Sequence, residues 1–155
     1  AMLGEIEFNA ATYYRFADVD ANRLYDTLGD VEATAKAVGA LVKAFVMSMP
    51  QGKSSTFAQG TLPDLVVVNI RDTQAVNMSG AFLTPVKPNY VENATKALVR
   101  RSKDMDDVYG VTPVKTWVVR IGDATKDADA LAEAVSLREL VDGVEEAVSS
   151  RLSQE

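Results

Sequence analysis

The sequence contains no cysteine and no histidine. Those two absences exclude thiol redox chemistry, imidazole acid/base catalysis, Ser-His-Asp and Cys-His nucleophile pairs, and zinc sites of the usual ligand types. An enzyme built from this chain would rely on carboxylates, Lys, Tyr, Ser or Thr. Long apolar runs are missing as well: a lysine or polar residue interrupts every candidate well short of the roughly 20 residues a membrane span needs. The start, Ala1 to Glu7, has neither the basic opening nor the apolar centre of a signal peptide, and a cysteine-free chain suits a reducing compartment. The expectation is a soluble, cytoplasmic protein with no membrane partner. What is present fits that: 155 residues, 47% apolar and 25% charged, enough for one domain with a sizeable core.

The net charge of -6 is unevenly spread. Residues 1–30 sum to -4, 31–60 to +2, 61–90 to zero, 91–120 to +2 and 121–155 to -6. The middle is mildly basic between acidic ends. A free-standing polyanion binder is usually more basic than this, so composition argues weakly against nucleic acid, although local patches matter more than totals.

Hydrophobic periodicity divides the chain. Residues 5–19 place Ile6, Phe8, Ala10, Tyr14 and Phe16 on one parity, the period of a strand with one buried face. Asp20 stands at an N-cap position before a short helix carrying Leu24, Tyr25 and Leu28, which Gly29 can close, and Asp30 caps the next one. Val31, Ala35, Val38, Val42, Phe45 and Met49 recur at spacings of three and four, predicting an amphipathic helix up to Pro50. A Gly/Ser/Thr/Lys-rich loop over 51–63 leads to a buried strand at Leu65 to Ile70. Residues 72–89 predict little regular structure. Tyr90 to Val108 predicts a helix with Val91, Ala94, Leu98, Met105 and Val108 on the buried stripe. Lys115 to Ile121 predicts a strand, and Ser136 with Glu139 forms a capping box ahead of a final helix. Three strands are few for so many helices, so the expected class is α+β with a sheet that is incomplete in this chain.

Few motifs carry chemistry. Gly52-Lys53-Ser54 resembles the end of a phosphate-binding loop, but Met47 stands where that motif needs glycine, and the order helix, loop, strand is reversed from what it needs. What survives is a polar loop whose Lys53, Ser54, Ser55, Thr56 and backbone near Gly52 could meet an anion or a sugar-phosphate backbone; a solvated turn is the alternative. Asp18, Asp20 and Asn22 open like a calcium loop, yet Arg23 and Gly29 occupy its required glycine and glutamate places. Asp104, Asp106 and Asp107 read as a solvated helix end rather than a metal or acid/base group. Lys96, Arg100 and Lys103, with Arg101 adjacent, form a basic helix face that could neutralise phosphates or simply be exposed. Tyr13, Tyr14 and Phe16 could stack bases, but at strand spacing Tyr14 and Phe16 are expected in the core.

The ordered blocks Leu3-Gly4-Glu5-Ile6-Glu7-Phe8, Tyr13-Tyr14-Arg15-Phe16-Ala17, Ala44-Phe45, Pro50 to Ala58, Thr61-Leu62-Pro63-Asp64, Asn77-Met78-Ser79-Gly80-Ala81-Phe82 and Pro85-Val86 resemble the CasC family. These are the backbone subunits of the type I-E CRISPR surveillance complex, Cascade. The series spans residues 3 to 87 of the 155. The resemblance implies that residues 1–155 are a single unit, the C-terminal half of a larger RRM-like (ferredoxin-like) palm, with residues 1–5 as the return limb of a thumb. It implies a non-catalytic subunit, without cofactor or metal, that lines up head to tail along the spacer of a CRISPR RNA. Base pairing by the guide then reads target DNA. The implied partners are CRISPR RNA, target DNA through the guide, neighbouring copies, other Cascade subunits and the chain's own N-terminal half.

The resemblance also carries residues. Met2, Leu3 and Gly4 match the thumb limb, with Leu3 touching the displaced RNA region. Gln51, Gly52, Lys53, Ser54, Ser55 and Thr56 match a lysine-bearing loop assigned to the guide backbone. Lys96, Arg100 and Lys103 match no family motif and are a candidate for target-DNA contact. The rival reading is a structural assembly module that touches only protein.

Overall fold

The computed structural model describes residues 11–49 and 60–154. Two carboxylate caps start the helical part. Asp20 Oδ1 accepts the Arg23 amide at 3.0 Å and opens helix α1, Ala21–Leu28; Asp30 Oδ1 accepts the Ala33 amide at 2.6 Å and opens α2, Val31–Met47. Each satisfies an amide that the first helical turn leaves without a backbone partner. Between them Gly29 takes the left-handed conformation, φ 66°, which lets its amide close α1 on the Tyr25 carbonyl.

Strands β1, Leu65–Ile70, and β2, Lys115–Arg120, form a two-stranded antiparallel sheet in which Val67 faces Val118 and Val68 faces Trp117. The alternation of side chains sorts them to two cores. Val66, Val68, Ile70, Trp117 and Val119 pack with Ala35 and Val38 of α2 and with Leu140, Val144, Val148 and Leu152 of α4, Leu137–Leu152. On the opposite face Leu65, Val67 and Val118 meet Val99 of α3, Tyr90–Tyr109, and Ala128 of a 3-10 helix, Asp123–Ala130. The sheet is thus covered on both faces, leaving every residue of β1 half-buried, which is why Leu65 to Val68 reads as an apolar run rather than an alternating one. The chain at Ala134 and Val135 lies against β2, the Val135 amide donating to the Val118 carbonyl at 2.8 Å.

The capping box is present in full: Glu139 N–H donates to Ser136 Oγ at 3.2 Å, and Ser136 N–H to Glu139 Oε2 at 2.7 Å. One close approach needs glycine. A Cβ at Gly143 of α4 would lie 2.7 Å from Trp117 Nε1, so its absence lets the indole approach the helix closely.

Three expectations are corrected. The strand expected over 5–19 does not appear in its described part: residues 11–19 carry no regular structure, and Tyr14 (37%) and Phe16 (39%) are exposed rather than in the core. Their periodicity is that of a strand, but side-chain anchors hold this segment instead of a ladder. The buried stripe of α3 is Thr95, Val99 and Ser102, while Val108 is 73% exposed. There α3 lies against the 3-10 helix Asp123–Ala130, with Val99 packed on Ala128. Finally, Asp106 is not solvated. Its side chain, 15% exposed, accepts from Arg71 Nη1 at 3.0 Å, and the Arg71 side chain is only 6% exposed. No helix among the described residues is long and apolar enough to cross a membrane.

Candidate nucleic-acid interface

Residues 11–19 are fixed by two consecutive side chains that reach different elements. Tyr14 accepts a hydrogen bond on its hydroxyl from the Met78 amide at 3.0 Å, and its ring lies 5.2 Å from that of Phe82. Partial burial pushes the Tyr14 phenol above its usual pKa, opposed by the Met78 hydrogen bond. Arg15 instead turns to the end of α2: its guanidinium sits 4.3 Å over the Phe45 ring and donates to the Ser48 carbonyl at 2.6 Å. The partner turn around Met78 is itself preformed, since Asn77 Oδ1 accepts the Ser79 amide at 2.8 Å and Ser79–Phe82 makes one 3-10 turn. The Arg101 guanidinium covers that turn, so close that a Cβ at Gly80 would lie 3.0 Å from Nη2. Arg101 is therefore occupied on the turn, apart from its basic neighbours.

Lys96, Arg100 and Lys103 line one shallow groove between α3 and the second 3-10 helix. Asp104, Asp107 and Asp127 line the same groove, so its formal charges balance. Lys96 bonds Glu92 at 2.5 Å and lies 3.9 Å from Asp127; Arg100 lies 3.8 Å from Asp104. The Glu92 hydrogen bond holds the Lys96 ammonium above its usual pKa, and Lys96 in turn holds Glu92 below the usual carboxylate range. Among the described residues Lys103 has no carboxylate within ion-pair distance. A second groove shares Lys103 and continues past Ser102 and Thr112 to Lys115. Among the described residues no three His, Cys, Asp or Glu side chains group closely enough to hold a metal ion.

The expected RNA contacts Met2, Leu3, Gly4, Gln51, Gly52, Lys53, Ser54, Ser55 and Thr56 lie outside the described residues. The described chain beside them is informative. Arg15 lies eleven residues after Gly4 and Ser48 three residues before Gln51, and the Arg15 guanidinium donates to the Ser48 carbonyl. The side chains that make this junction come from separate blocks of the family resemblance: Tyr14 and Arg15 from one, Phe45 from another, Met78 and Phe82 from a third. The sequence alone does not show that these blocks touch. Their order along the chain was the only available signal, because pairing at separations of 33 and 64 residues leaves no local pattern.

The family model described as CT1975-like protein matches residues 1–143. No curated protein matches. Among solved structures, a chain of a "CRISPR RNA-guided surveillance complex" superposes with a TM-score of 0.75 at 27% identity, covering 83% of this chain and 50% of its own length. Another, from a "CRISPR RNA-guided surveillance complex, pre-nicking", gives 0.73 at 26% identity, covering 84% of this chain and 36% of its own length. The chain thus spans half or less of the solved chains it matches. With the family model covering most of its length, this chain belongs to the CT1975-like family, a Cas family of Cascade surveillance complexes.

Proposed function

We propose that the chain is the C-terminal half of an RRM-like palm in a non-catalytic subunit that binds CRISPR RNA and lines up along the guide spacer of a type I-E Cascade. The observation that carries this reading is the likeness over more than four-fifths of the chain to two subunits of RNA-guided surveillance complexes. In this reading residues 1–5 are the return limb of a thumb, Leu3 meets the displaced guide region, and Gln51 to Thr56 hold the guide backbone. Phosphate contacts position such a strand while base pairing supplies sequence. Target-DNA contact on α3 falls chiefly to Lys103, because Lys96 and Arg100 already face carboxylates.

The alternation of charge in the α3 groove favours a second reading for that face alone, contact with a neighbouring protein surface. The test is to co-express the parent polypeptide with other Cascade proteins and a CRISPR array. A particle containing protected guide RNA is expected, and an RNA-free assembly would refute the reading. Within that particle Lys53→Ala is expected to weaken guide retention and to reduce its salt dependence by about one phosphate contact. Unchanged retention and slope would remove Lys53 from the interface.

A further inference from the structure

Strand β1 has one paired edge and one bare edge. Just beyond the ladder the Ile121 amide donates to the Asp64 carbonyl at 2.9 Å, and at the other end the Val114 amide donates to the Ile70 carbonyl at 2.8 Å. Backbone groups of an antiparallel strand alternate in direction, so these bonds mark the even-numbered residues of β1 as the ones turned toward β2. The N–H and C=O groups of Leu65, Val67 and Asn69 point the other way, and none of them has a hydrogen-bond partner among the described residues. The outer edge of β2 differs, since Val118 there accepts from the Val135 amide. Burial follows the same asymmetry: every residue of β1 is half-buried, whereas Trp117 and Val118 opposite are buried.

The bare edge is also undefended. Solvent-facing edge strands are normally blunted by a charge, a proline or a bulge. Leu65 to Ile70 carries no charge and no proline, and it pairs with β2 without a break in register. The layer above is wider than the sheet. Helices α2 and α4 pack on each other over one face, with about 8–10 Å expected between packed axes, while the two strands beneath them lie only about 5 Å apart. Gly39 of α2 meets the Glu145 side chain of α4, and Leu41, about 200° further round the helix, is turned away from α4 and is 48% exposed.

We propose that the outer edge of β1 receives a strand from the part of the parent polypeptide outside residues 1–155, hydrogen-bonded to Leu65, Val67 and Asn69. This rests on the reading of the chain as one half of a palm and deepens it by naming the seam between the halves. The two solved chains that superpose on this one have half or more of their own length outside the match, so in them a single polypeptide holds enough chain to fill such an edge. The incoming strand makes the sheet three strands wide under the paired helices, the smallest width that is stable without further support. Its side chains on the α2 side are apolar, since they cover the half-buried Val66 and Val68.

The test is residue-resolved hydrogen exchange on the parent polypeptide, alone and in the assembled particle. The amides of Leu65, Val67 and Asn69 are expected to exchange about a hundredfold or more slower than open peptide amides, as slowly as those of Val66, Val68 and Ile70. Fast exchange at the three odd-numbered amides would overturn the proposal. Protection that disappears when the polypeptide is diluted would place a second copy at the edge, and protection confined to the particle would place another subunit there; either result overturns it. The RNA reading fails separately. Particles that hold guide RNA while the odd-numbered amides exchange fast would overturn the seam alone, and protected amides in particles without RNA would support the seam and overturn the RNA reading alone.

Discussion

Arg71 follows the last residue of β1, and its guanidinium is held between that strand and the last turns of α3. Asp106 is its carboxylate partner at 3.0 Å, and Nη2 has no hydrogen-bond partner among the described residues. The attraction between the two charges is offset by the cost of removing both from water, so the intact pair contributes little net stability. Breaking it is different. Asp106→Ala leaves a buried cation without its counter-charge, a loss of about 3–5 kcal/mol. A domain of this size has only about 5–15 kcal/mol in total. That loss corresponds to a fall in melting temperature of about 6–20 °C. Replacing both partners, Arg71→Met with Asp106→Leu, is expected to be neutral or stabilising, because it also removes the unpartnered Nη2. Urea unfolding followed by fluorescence of Trp117, the chain's single tryptophan and 7% exposed, reads both outcomes in one cycle. A loss under about 1 kcal/mol for Asp106→Ala, or a double variant as unstable as the single one, would refute the account of this pair as a buried one.

Gly143→Ala places a methyl against the Trp117 indole; the strain, about 1–3 kcal/mol, exceeds the helix-propensity gain of about 1 kcal/mol. Net destabilisation with a shifted tryptophan emission is expected, and a stabilised variant would show that the indole moves aside freely. Ser136→Ala removes the cap of α4 and is expected to lower stability by about 1 kcal/mol in the same urea assay. Three carboxylates set the acid limb. Hydrogen bonds from the Ser136 backbone to Glu139, from Lys96 to Glu92 and from Arg120 to Asp129 hold each pKa below its ordinary value. Each carboxylate therefore binds a proton more readily in the unfolded chain. Their contribution is fully present above the unfolded pKa values and is lost as pH falls through the lower folded ones. The urea midpoint is expected to fall over that acid window, and Glu139→Gln to flatten the fall. An identical pH profile for Glu139→Gln would exclude the capping carboxylate as a contributor.

Local signals carried most of the fold. Asp20, Asp30 and Ser136 each mark a helix start through a bond made within three residues, and the segment Leu65 to Ile70 needs only its own composition to read as a strand, although the fold half-buries rather than buries it. The failures share one cause, partners distant in sequence. Tyr14 and Phe16 alternate like strand residues, but whether a segment forms a ladder depends on a partner strand that periodicity does not name. Asp106 sits among Asp104 and Asp107 and looks like them in composition; only Arg71, 35 residues away, distinguishes it. The α3 stripe, expected on large apolar residues, is Thr95, Val99 and Ser102 instead, with Val99 packed against Ala128.

The candidate interface shows the same division more sharply. Its blocks were legible as words in the sequence, and each has a local reason to exist: a loop rich in small polar residues, an aromatic pair, an Asn-led turn. Their meaning lies in the distances between them. Arg15 touches Phe45 and Ser48, and Tyr14 touches Met78 and Phe82, so two adjacent residues bind two elements that the chain reaches 33 and 64 residues apart. A substitution at either anchor is therefore expected to shift both neighbours of the junction together. The basic stripe needs the same recount: its spacing places Lys96, Arg100 and Lys103 on one face, and Asp127, from another element, shares their groove and lies 3.9 Å from Lys96. Charge that is counted along a helix has to be recounted across the groove that the fold makes of it.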